Sequence, residues 1–185
     1  MKPRDMLRRA ETLRSVDKPA GALAGVTDRV LRAVKIRELL RGAWLGHPLH
    51  PVLVTVPLGA WTGATMLDCT GQRVAARRLV ALGLAMVPPS VAAGLADYTD
   101  LDPAQRRVGL LHAAANTVAT SLLAASYGCR RTNRYAAGVL LTLLGVGVAS
   151  AGGALGGHLA YAQGSGVRRF EEPPFIRRPE PAAIS

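Results

Sequence analysis

The sequence predicts an all-α integral membrane protein, an antiparallel four-helix bundle preceded by an amphipathic helix. Three observations carry this. No charged residue occurs between Arg41 and Asp68, and Leu79 to Ala96, Val108 to Cys129 and Tyr135 to Val167 are equally free of Asp, Glu, Lys and Arg. About 20 apolar residues suffice for a helix to cross the bilayer hydrocarbon, so each segment can span with some tilt. A soluble helix of that length would show a polar residue at every third or fourth position on its wet face, whereas these segments are apolar on all sides. The aromatic residues gather at segment ends, with Trp44, Tyr98, Tyr127, Tyr135 and Tyr161 placed where a ring can be half apolar and half wet. Trp61, inside the first span, is the exception, and its indole N–H needs a partner.

The elements follow in order. Residues 1–43 are a basic segment in which Val26, Val30, Leu31, Val34, Ile36 and Leu39 recur near helical spacing among Arg29, Arg32, Lys35, Arg37 and Arg41. Such a helix suits an anionic membrane surface, the alternative being an ordinary solvated basic helix; the segment is too long and too charged for a secretory signal. Residues 44–167 form the membrane domain. Its first span opens on Gly46-His47-Pro48-Leu49-His50-Pro51, with prolines preset for a first helical turn, and Pro88 and Pro89 should bend the second span. Asp97, Asp100 and Asp102 read as a solvated loop. In the fourth span Gly145, Ala149, Gly153 and Gly157 repeat every four residues, and Gly59 and Gly63 do so in the first; small residues let helix backbones approach in lipid. Residues 168–185, rich in Pro, Arg and Glu, read as a flexible tail.

The net charge of +11 does not point to nucleic acid. Most Lys and Arg flank spans, and no aromatic-interleaved basic patch or nucleic-acid motif is present. Arg32, Lys35, Arg37, Arg41, Arg106, Arg107, Arg168, Arg169, Arg177 and Arg178 lie on the side of the termini, against Arg73, Arg77, Arg78, Arg130, Arg131 and Arg134 on the other. The more positive side stays cytoplasmic, which places both termini inside. There is no phosphate loop, nucleophile elbow or metalloprotease helix, and so no catalytic motif of a known enzyme class. Cys69 and Cys129 end the first and third spans on the side away from the termini, where an oxidising compartment would let them pair.

Span parity places all four histidines on one side. His47 and His50 begin the first span, His112 lies near the start of the third, and His158 ends the fourth. His112, Asn116 and Thr120 form a polar stripe on one helix face, which should turn toward the bundle interior. Imidazoles on a bundle wall can hold a b-type haem or a transition metal, with the other ring nitrogen fixed by a neighbouring polar group. The site residues are therefore His47, His50, His112 and His158, supported by Asp97, Tyr98, Asn116 and Tyr161. The alternative is a structural subunit, or a proton or small-solute carrier using the same polar pocket. A faint internal repeat accompanies the pattern: the first and third spans begin with histidine, and the second and fourth finish on the same side with Gly94 to Asp97 and Gly156 to Leu159.

Gly46-His47-Pro48-Leu49-His50-Pro51, Val56 to Thr62, Gly94 to Tyr98, Gly109 to Asn116 and Gly156 to Leu159 together resemble the bacterial membrane family called domain of unknown function twenty-two thirty-one. The resemblance covers Trp44 to Gly166 and implies a multi-pass bundle in the bacterial inner membrane. Some members of that family carry a Rieske ferredoxin domain after the membrane part. No Cys-x-His pair follows the fourth span here, so the implied Rieske or ferredoxin-like redox partner would be another chain.

Overall fold

The structure is a computed structural model that describes residues 3–166; the C-terminal tail lies outside the described residues. The chain forms α1 (Pro3–Thr12), α2 (Asp17–Ala33), α3 (Arg37–Arg41), α4 (Leu49–Cys69), α5 (Arg73–Ala85), α6 (Val87–Tyr98), α7 (Pro103–Arg131) and α8 (Tyr135–Gly157). A π-helical turn, His158–Ala162, continues α8, and there is no strand among the described residues. Among the described residues, four stretches are long and apolar enough to cross a membrane: Leu49–Cys69, Arg73–Tyr98, Pro103–Arg131 and Tyr135–Ala162. The second breaks at Met86 into α5 and α6, directly before Pro88 and Pro89, as their missing N–H groups require. Pro57 is buried within α4 without ending it. The loop between the second and third spans exposes Asp100 and Asp102 as expected, but both carboxylates are engaged. Asp102 caps α7 in a reciprocal bond with Gln105, and Asp100 pairs with Arg37 and Arg41.

The faint repeat of the sequence is a tandem of two helical hairpins, α4 to α6 and α7 to α8, held at a constant shift of 62 residues, the separation of Asp68 and Arg130. At that shift buried positions coincide: Trp61 with Leu123, Ala64 with Ser126, Ala76 with Gly138, Val80 with Thr142. Small residues stand opposite the large ones. A methyl group on Gly83 would meet the Trp61 indole at 2.1 Å, and one on Gly145 would meet Leu123 at 2.9 Å. The Trp61 N–H finds its partner in the Val80 carbonyl at 3.4 Å.

The contact stripe of α8 is not the four-residue repeat. Gly145 and Ala149 are buried, but Gly153 and Gly157 have open space at Cβ, while Gly138, Gly152 and Gly156 are the close approaches. The reason is rotation. A strict step of four residues drifts round a helix of 3.6 residues per turn, whereas alternate steps of three and four stay on one face. In α4 Gly59 is likewise open, and Gly63 meets Leu79 at 3.1 Å.

The N-terminal helices fold over the histidine end. Ala20, Ala24, Thr27 and Leu31 of α2 are buried, with Ala24 packed against Tyr98 and Leu101. The sequence pattern that put Leu31 on one face with Val26, Val30 and Val34 is therefore divided, since those three valines face outward.

Candidate functional site

His50 and His112 meet inside the bundle at the end covered by the N-terminal helices. Their ring centroids lie 6.2 Å apart with the planes nearly perpendicular. Each ring is positioned by its own hairpin in the same way. His50 Nδ1 is 2.8 Å from the Ser90 carbonyl oxygen, and His112 Nδ1 is 2.7 Å from that of Gly152, both across 40 residues. A carbonyl oxygen only accepts, so Nδ1 carries the proton in both rings and each neutral imidazole keeps its lone pair on Nε2. One turn beyond each carbonyl stands a glycine that the ring requires. A Cβ on Gly94 would come within 2.9 Å of His50 Cε1, and one on Gly156 within 2.9 Å of His112 Cε1.

The remaining sequence-predicted residues divide. Asn116 belongs to the site: its amide nitrogen lies 3.3 Å from both ring nitrogens of His112 and donates to the His112 carbonyl at 2.9 Å. Gly152 leaves it room, since a Cβ there would approach the amide to 2.9 Å. His158 is engaged elsewhere, with Nε2 2.5 Å from Glu11 of α1. His47 is exposed in the loop before α4, where its carbonyl packs so closely on Gly42 that a side chain could not be accommodated. Tyr98 is buried, but its hydroxyl reaches the carbonyls of Ala20 at 3.2 Å and Arg106 at 3.1 Å, joining α2 to the bundle. Asp97 is partly buried at the end of α6. Tyr161 is 91% exposed.

The donor set defines what chemistry fits. Two imidazoles, each with Nδ1 held by a carbonyl, are the donor type that a b-type haem or a late transition metal takes through Nε2, and the Asn116 amide stands 3.3 Å from that atom of His112. A tetrahedral zinc-like site needs more ligands, and among the described residues no group of three or more His, Cys, Asp or Glu is placed to hold a metal.

The sequence reading missed two features. The first is at the opposite end of the bundle, where Arg130 and Asp68 form an ion pair with side chains 0% and 4% exposed. The pair is bidentate at 2.8 and 2.6 Å; the same guanidinium donates to Tyr135 Oη at 2.8 Å, Thr142 Oγ1 at 2.9 Å and Ser126 Oγ at 3.1 Å. All five guanidinium N–H donors are thus used. Gly138 makes this possible, because a Cβ there would sit 2.7 Å from Arg130 Cγ. Cys69 and Cys129, near this end, are free thiols. The second feature is the strap at the histidine end. Arg107 pairs with Asp17 at 2.5 and 2.9 Å and donates to the Glu11 carbonyl at 2.8 Å. The Arg107 hydrogen bond holds the Asp17 carboxyl below its ordinary range, against a smaller opposing effect of burial.

No curated protein and no solved structure matches the chain. Residues 46–169 match the family described as Predicted membrane protein (DUF2231). That stretch exceeds half of the chain and contains all four spans and both inward histidines, so the chain belongs to the membrane protein family DUF2231.

Proposed function

We propose that the His50 and His112 pair is the working centre of this membrane protein and binds a haem iron or a single transition-metal ion through Nε2. The observation that carries the reading is the use of both Nδ1 atoms on backbone carbonyls. That arrangement fixes ring orientation and raises ligand basicity, as the outer partners of ligating histidines generally do. A bound haem or redox metal would supply one-electron chemistry. The protein is then a redox-associated subunit of the bacterial inner membrane, exchanging electrons with a ferredoxin-like or Rieske partner supplied by another chain. Both termini lie in the cytoplasm. The larger number of Lys and Arg near the span ends on the terminal side supports this orientation.

One observation favours a second reading. The Asn116 amide stands 3.3 Å from both ring nitrogens of His112, which sets a further polar group beside the imidazoles, as a site for a proton or a small polar solute would use. The visible spectrum and metal content of gently purified protein, compared with His50→Ala and His112→Ala, decide between them. A Soret band or stoichiometric metal lost in both variants supports the redox centre. Colourless, metal-free protein that dissipates a pH gradient across vesicles, with the activity lost in both variants, replaces it by the second reading.

A further inference from the structure

The α2 helix has two apolar faces, and only one of them is covered. Ala20, Ala24, Thr27 and Leu31 pack on the bundle. Ala22, Val26, Val30 and Val34 follow one another at four-residue steps on the outer surface, with the three valines 57%, 53% and 53% exposed. Exposed Lys18, Arg29 and Arg32 flank this ridge. Its height relative to the spans is fixed, because α2 is bonded through its Ala20 carbonyl to Tyr98, the last residue of the second span, and through Asp17 to Arg107, in the first turns of the third. The ridge also continues along the chain through exposed Leu39 and Trp44 to the start of α4 at Leu49.

We infer that the outer face of α2 is seated in the headgroup and acyl boundary of an anionic bilayer. An apolar ridge held at the level where spans end, bordered by cations, has the composition of an interfacial helix. The stems of Lys18 and Arg29 can lie along the apolar surface while their charges reach lipid phosphates, whereas Arg32 is held by Asp28 at 2.8 Å. The α2 helix is then bound on one side to protein and on the other to lipid, a membrane-plane collar around the histidine end.

Nitroxide labels at Val26→Cys, Val30→Cys and Arg32→Cys, each with Cys69→Ser and Cys129→Ser, test this in vesicles with and without phosphatidylglycerol. The expected result is an oxygen-to-nickel-chelate accessibility ratio several-fold higher at positions 26 and 30 than at 32. Hydrogen exchange of α2 in the unlabelled wild-type chain should also be slower in the anionic vesicles. Water-like accessibility at 26 and 30 would overturn the inference. So would spin–spin broadening that disappears on dilution with unlabelled protein, because the ridge would then be covered by a second copy. Equal exchange in both vesicle types would remove the anionic preference.

Discussion

The two hairpins place identical residues at one end of the bundle and complementary ones at the other. At the histidine end each imidazole is satisfied within its own hairpin, His50 by Ser90 and His112 by Gly152. At the far end the equivalent positions are Asp68 and Arg130, whose opposite charges bond to each other across the two hairpins. This difference separates a closed fastening from the site proposed to bind. Asp68 and Arg130 are spent on one another and on neighbouring hydroxyls, whereas each imidazole is fixed to a carbonyl through Nδ1, with the Asn116 amide 3.3 Å from His112 Nε2.

The largest effect should come from breaking the charged end. Arg130→Leu leaves a buried carboxylate without its partner, and breaking a buried pair in this way costs about 3–5 kcal/mol. The double variant Asp68→Leu with Arg130→Leu should lose less, because the remaining hydroxyls keep backbone partners: Ser126 and Thr142 with Gly138, Tyr135 with Arg73. The charge swap, Asp68→Arg with Arg130→Asp, should not rescue stability. An arginine at 68 would face Ala64 and Val80, which stand where the second hairpin has Ser126 and Thr142. Denaturation in mixed micelles measures all three, and full recovery by the swap would mean that the two hairpins are interchangeable at this end.

A smaller loss is expected from the glycines that seat the histidines. Gly94→Ala or Gly156→Ala places a methyl group 2.9 Å from an imidazole carbon, and overpacking of this kind costs about 1–3 kcal/mol. Each variant should also displace its ring from the carbonyl, which NMR of the imidazole Nδ1–H would register as a lost or shifted resonance. Gly153→Ala is the matched control, since its Cβ meets open space. Gly153→Leu should be tolerated as well as Leu143→Ala, whose side chain is on the outer surface. Destabilisation by Gly153→Leu comparable to that at Gly156 would restore the strict four-residue stripe.

Much of this molecule is legible in its sequence because lipid forbids exposed charge, so spans are visible as its absence. The break at Pro88 and Pro89, the need of Trp61 for an acceptor and the grouping of the histidines at one end by span parity come from local chemistry of the same kind. Inward direction is not legible in this way. His47 and His50 are three residues apart, but one precedes the helix and the other lies within its first turn, so they part company. His158 meets Glu11 across 147 residues, beyond the reach of any periodicity. Arg130 reads as one more loop cation beside Arg131 and Arg134. The signal that could have found its partner is the 62-residue shift relating His50 to His112, which carries Asp68 onto Arg130.

The smallest effect belongs to the strap, and it distinguishes the two ends by their response to acid. Asp68 and Arg130 are sealed between hairpins, whereas Asp17 is 42% exposed where it holds Arg107. The Asp17 carboxyl titrates below its ordinary value of 3.8 chiefly through the Arg107 hydrogen bond. A carboxyl whose folded-state pKa is depressed contributes stability that is complete above the unfolded value and is lost as pH falls through the folded one. The protection of α2 amides relative to intrinsic exchange at each pH should therefore hold from neutral pH to about 5 and fall below the ordinary carboxylate range, with α7 and α8 still protected. Asp17→Asn removes the titration and should show faster α2 exchange at neutral pH with a weaker acid dependence. Because Asp17 is 42% exposed, solvent screens the pair and its energetic share is small. Simultaneous loss of protection in α2 and α8 would show that the strap is not an independent unit but part of what holds the four spans together.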